Sequence, residues 1–193
     1  MLLIQAGALS YLVLADLFSR RRWSRLALDT KLVISGHLFL LLIGAAIFLV
    51  AEWNRSLENL SVAYRPMAAL FQSVAARTAG FSSINFAEVG VVTLFAWVAI
   101  MLIGGASGST AGGAKISTVA VVIASVVSTL RGEEEPAAFN RRLATPLVFR
   151  AMSVIALLLI VHFVATLALV GIEDVFSSAE NNFISIMFEV MSA

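Results

Sequence analysis

Nineteen consecutive residues, Leu32 to Val50, carry no Asp, Glu, Lys or Arg, and as a helix at roughly 1.5 Å per residue they reach about 28 Å, close to the thickness of a bilayer's hydrocarbon. Such a run needs either lipid or a large protein core around it. Composition decides between the two: 60% of the 193 residues are apolar, 13% are charged and the mean hydropathy is +0.96, whereas a soluble domain carries about 25% charged residues. A soluble globular fold is excluded. The 13 Lys and Arg nearly cancel the 12 Asp and Glu, leaving a formal net charge of +1, so no basic surface able to neutralise many phosphates can form, and nucleic acid is not an expected partner. The absence of cysteine removes disulfides, thiolate metal sites and a cysteine nucleophile.

The order of charges sets an expected path through the membrane. Residues 2 to 18 are apolar apart from Gln5 and Asp16, and Arg20, Arg21, Arg22 and Arg25 follow. The cations come after the apolar run, so it is not a secretory signal; it reads as a membrane helix ending on the cytoplasmic side. Leu32 to Val50 then returns the chain to the outer face, where Glu52, Arg55, Glu58 and Arg65 form a mixed loop. Residues 65 to 88 are too polar to span lipid, but Pro66 to Ala76 is predicted to be a half-length helix with proline in its first turn, which reads as a re-entrant helix followed by a loop. Val89 to Ile103 and Ile116 to Leu130 are apolar and flank GGASGSTAGGAK, Gly104 to Lys115. If both halves crossed, Arg141, Arg142 and Arg150 would lie outside and Glu173, Asp174 and Glu180 inside, against the charge rule. A single crossing interrupted near its middle, its second half running into the cytoplasm, restores the rule and is the expected topology. Irregular backbone at membrane depth must face protein or a water-filled cavity, so Gly104 to Gly113 is expected to face a pore. Leu147 to Val170 is the last full span, with His162 in its interior, and Phe183 to Ala193 begins another short amphipathic segment.

The tail of the chain repeats its middle: FQSVAA (Phe71 to Ala76) aligns with FEVMSA (Phe188 to Ala193) at an offset of 117. One unit therefore reads as span, outer loop, re-entrant helix, loop, span. The expected fold is an all-α membrane protein of span, pore helix, span repeats with re-entrant filter loops and one helix broken by a Gly-rich intramembrane loop. Residues 1–31 would be the end of one repeat and a cytoplasmic basic loop, 32–146 a complete repeat, and 147–193 the start of the next, stopping in its pore helix. FQSVAARTAGFSSI (Phe71 to Ile84) followed by GGASGSTAGGAK in this architecture resembles the TrkH/KtrB/HKT superfamily of potassium transporters. The resemblance implies four such units in one polypeptide around a single ion pathway, of which this chain is the third with parts of the second and fourth. It also implies potassium uptake across the plasma membrane (the bacterial inner membrane) as the multi-pass pore-forming subunit, with K+ as transported ion and no other cofactor. Its expected partners are the remaining repeats, the lipid bilayer, a second copy of the chain, and a cytosolic nucleotide-binding regulatory subunit. The filter glycine falls on Gly80 and the intramembrane gating loop on Gly104 to Gly113.

The residues suit those roles. A dehydrated K+ needs oxygen ligands in place of water, and uncharged backbone carbonyls supply them without trapping the ion. Thr78, Ala79 and Gly80 are expected to present theirs, with Phe81 wedging the loop, although TAGF alone also fits an ordinary turn after a helix. A single glycine stands where tetrameric K+ channels have two, which implies fewer defined ion sites. In the second motif Gly104, Gly105, Gly108, Gly112 and Gly113 give the loop freedom to move. The hydroxyls of Ser107, Ser109 and Thr110 are expected to satisfy freed backbone groups, and Lys115 is expected to pair with an acid or helix end elsewhere or to snorkel. The loop is either a movable plug or a static kink. Arg77 is either a tether to an outer acid or an exposed structural residue, Glu133 to Glu135 form a solvated cluster or a regulator contact, and His37 and His162 serve helix packing. GASG, Gly105 to Gly108, also resembles the serine motif of rhomboid intramembrane proteases, with His162 as base. In that family nucleophile and base lie on parallel helices separated by one span, which does not fit here. No catalytic residue is expected, and the chain is not read as an enzyme. A non-transporting membrane scaffold fits the composition but gives the broken span no purpose.

Overall fold

The structure, a computed structural model, describes residues 2–77, 82–84, 86, 89–109, 111–133, 135–139, 141–176 and 183–192. Helices among these residues are α1 (Leu2–Ala8), α2 (Tyr11–Arg20), α3 (Leu28–Ala51), α4 (Arg65–Ala75), α5 (Val91–Leu102), α6 (Ile116–Leu130), α7 (Thr145–Phe176) and α8 (Phe183–Ser192), with a short 3₁₀ turn at Trp23–Arg25. Among the described residues two helices are long and apolar enough to cross a membrane, Leu28–Ala51 and Thr145–Ile172. The chain folds as two compact units, one of Leu40–Leu102 with Leu159–Ala193 and the other of Leu2–Phe39 with Ile103–Leu158.

In the first unit, Phe48, Leu57, Ala69, Ala76, Trp97 and Ile100 form the core, and the rings of Phe48 and Trp97 lie 5.1 Å apart. Helix α4 starts at a proline, whose missing N–H is no loss in a first turn, and buries Ala69, Gln72, Ser73, Val74 and Ala75. Ser73 Oγ donates to the Leu41 carbonyl of α3 at 2.8 Å. Helix α8 packs on α5, and its Phe188 meets Phe86 at 4.9 Å.

In the second unit, Val13, Val33 and Ala106 make one buried cluster, and Val121, Leu143, Val148 and Ala151 another. The apolar stretch 2–18, expected as one helix, is two. Ser10 sits in extended backbone and its Oγ accepts from Val13 N at 3.3 Å, capping α2. Asp16, expected inside a span, instead accepts from Ala27 N and Thr30 Oγ1, both at 2.8 Å, and from Arg20 Nε at 2.7 Å, which ties α2 to the start of α3. Two further departures concern polar residues. Glu173 and Asp174, expected in a loop, lie within the backbone of α7. The expectation of an all-α fold also misses a two-residue antiparallel pair, β1 (Ala137–Ala138) with β2 (Arg141–Arg142), anchored where Ser128 Oγ accepts from Ala137 N.

Candidate functional site

Thr78, Ala79, Gly80 and Phe81, the expected ion-binding segment, lie outside the described residues, as does Thr110 of the Gly-rich motif. What the structure gives is the chain on either side of 78–81. On the leading side, α4 closes with Ala76 N donating to Gln72 O at 2.8 Å and Arg77 N to Val74 O at 3.4 Å. The carbonyl end of a helix, which carries partial negative charge, thus leads directly into the segment. On the trailing side, Gln72 is fully buried and reaches Ser83: the amide orientation that satisfies its surroundings lets its oxygen accept from Ser83 Oγ at 3.0 Å, Ser83 N at 3.2 Å and Ile84 N at 3.3 Å. Arg77 is 3% exposed, which overturns its reading as an exposed residue. Both its terminal nitrogens are buried and have no partner among the described residues.

Glu52, expected only as one charge of the mixed outer loop, is fully buried. Its carboxylate accepts from Thr93 Oγ1 at 2.6 Å, Ser56 Oγ at 2.8 Å and Gly90 N at 2.9 Å, joining the end of α3 to the start of α5. Burial pushes the carboxyl pKa up, but the hydrogen bonds from Thr93, Gly90 and Ser56 outweigh it and hold the group below its ordinary value.

The Gly-rich stretch is a folded structure. Gly104 N donates to Ala114 O at 2.8 Å and Ile116 N to Gly105 O at 3.0 Å, so the two ends of the stretch pair with each other at an isolated bridge of Ile103 with Ala114. Ser109 N closes a turn on Ala106 O at 3.1 Å, and Ala106 N reaches the Ala8 carbonyl at the end of α1 at 3.0 Å. A side chain at Gly104 would run into the Gly112 carbonyl, and Gly113 has φ of 70°, a left-handed value that glycine adopts without strain. Of the three hydroxyls expected to satisfy freed backbone, Thr110 lies outside the described residues, Ser107 Oγ lies 3.2 Å from Ser117 Oγ, and Ser109 Oγ has no partner among the described residues. The N–H groups of Gly104, Ala106, Ser109 and Ile116 pair with backbone carbonyls instead. Lys115 Nζ, expected to pair elsewhere or snorkel, donates to Ala111 O at 2.6 Å inside the same loop. In the charge cluster that follows, Arg142 pairs with Glu135 at 2.7 Å among the described residues, with both side chains exposed.

Among the described residues no three His, Cys, Asp or Glu gather to hold a metal, and the partner of Ser107 is a second serine rather than a base. A family model for TrkH, described as a cation transport protein, matches residues 6–193. The chain belongs to the TrkH family. This TrkH-family chain is 33% identical over 189 residues to Ktr system potassium uptake protein B of Bacillus subtilis, which covers 97% of the chain and 41% of that protein. It is 32% identical over 192 residues to the potassium/sodium uptake protein NtpJ of Enterococcus hirae, covering 99% and 42%. With Ktr system potassium uptake protein B of Vibrio alginolyticus the identity is 31% over 193 residues, covering 97% and 41%. The chain thus spans about two fifths of the length of each of these relatives.

Proposed function

We propose that this TrkH-family chain supplies one filter segment and the gating loop of a plasma-membrane potassium uptake protein. K+ is held by the backbone carbonyls of Thr78, Ala79 and Gly80, with Phe81 wedging the segment, and the stretch from Gly104 to Lys115 opens and closes the path. The observation that carries this reading is the pairing on both flanks of 78–81. A helix buried in its last turns delivers its carbonyl end to the segment, and the chain beyond is tied back to that same helix, the support that fixed carbonyls need if they are to replace a hydration shell. The names of the relatives, potassium or potassium/sodium uptake proteins, agree with it. The internal repeat also gains support, since α7 begins 117 residues after α3 (Thr145 against Leu28) and α8 begins 118 after α4 (Phe183 against Arg65). On this reading the pathway is completed by further repeats of the same polypeptide. The chain pairs with a second copy, and a cytosolic nucleotide-binding subunit moves the loop through α6.

Isotope uptake by the full-length protein carrying Gly80→Ser tests the assignment. The expected outcome is a fall of about tenfold in preference for K+ over Na+, because a β-carbon there opposes the backbone turn that aims the carbonyls. Unaltered preference removes the site.

A further inference from the structure

Among the described residues, Gln72 is the polar side chain of α4 that reaches the chain beyond the filter segment, and it is fully buried. Its main-chain oxygen accepts from Ala76 N at 2.8 Å on the leading flank, and its side-chain oxygen gathers Ser83 Oγ, Ser83 N and Ile84 N at 3.0 to 3.3 Å on the trailing flank. A single residue therefore grips the chain just before and just after the four residues 78–81. The grip is anchored in turn, since the neighbouring Ser73 donates to Leu41 O at 2.8 Å, and Gly44 leaves the room Ser73 needs, a Cβ there falling 2.6 Å from Ser73 Oγ. An amide withdrawn from water costs free energy unless its polar atoms are paired, and the contacts with Ser83 and Ile84 pair the amide oxygen.

We propose that Gln72 is a positioning residue that sets the spacing of the filter carbonyls and, through them, the discrimination between K+ and Na+. The inference rests on the filter reading of 78–81. A chain segment tied on both flanks has fewer conformations open to it than one tied on one flank. Na+, being smaller, is excluded to the extent that the carbonyls cannot close in on it. If the trailing flank is released, the segment can contract around the smaller ion.

The experiment compares KM for K+ and for Na+ in full-length transporter carrying Gln72→Met, Gln72→Glu, Ser83→Ala or Gly80→Ser. Methionine matches glutamine in length but accepts no comparable hydrogen bond, and Q72M is expected to lower the Na+ to K+ ratio of KM values about tenfold. Glutamate restores the acceptor in the same place, and Q72E is expected to keep the ratio within about twofold of wild type. Ser83 is exposed, so S83A leaves the core intact and removes only one of the three donors; the ratio is expected to fall about two- to threefold. An unchanged ratio in Q72M alongside a lowered ratio in G80S overturns the role of Gln72 and leaves the filter standing, as does Q72E losing the ratio together with Q72M. If Q72M does not reach the membrane, S83A decides, and an unchanged ratio there overturns the proposal. An unchanged ratio in G80S removes the filter reading itself.

Discussion

Gly104 has no room for a side chain, because the Gly112 carbonyl occupies the space and the Gly104 N–H is committed to Ala114 O at 2.8 Å. Gly104→Ala is therefore expected to force the two ends of the Gly-rich stretch apart and to cost about 1–3 kcal/mol, measurable as a lowered thermal midpoint in detergent. An unshifted midpoint would mean that the pairing contributes nothing to stability. Lys115 illustrates the same economy of local pairing. Its ammonium donates to the Ala111 carbonyl four residues back at 2.6 Å.

At the scale of elements, the fully buried Glu52 carboxylate joins the end of α3 to α5 through two hydrogen bonds, from Gly90 N and Thr93 Oγ1, and takes a third from Ser56 in its own turn. Because its pKa is held below the ordinary value, the stabilisation it gives is complete above that ordinary value and is lost as pH falls through the depressed native one. Glu52→Gln is thus expected to lower the thermal midpoint by a constant amount between about pH 5 and 8, with the difference from wild type shrinking below about pH 4. A difference that does not depend on pH would show the carboxylate's charge to be irrelevant. Much of the element order was legible in advance. The uncharged run after Leu32, the proline at the head of a half-length helix and the glycines after Ile103 each leave a pattern that backbone chemistry alone explains. The missed features are those in which a polar side chain pairs across a gap. Gln72 meets residues 11 and 12 positions on, Glu52 meets residues 38 and 41 positions on, and neither spacing has a periodicity to read. The break at Ser10 was hidden for a different reason: its neighbours are as apolar as a continuous helix requires, and only the cap reveals the stop.

For the molecule as a whole, α7 leaves Leu157, Ile160, Phe163 and Val164 each more than half exposed, a surface that calls for lipid or for further protein against it. If the pathway is assembled from several repeats, these 193 residues reconstituted alone in liposomes are expected to pass no K+ above the leak of empty vesicles, while the full-length protein does. Flux through this chain alone would contradict the multi-repeat pathway. The stop at Ser10 has one more consequence. In an unbroken helix the Ala8 carbonyl would be taken by the amide four residues on; because α1 ends there, it is left to receive Ala106 N at 3.0 Å. The Gly-rich stretch is thus moored to the loose end of a neighbouring rod.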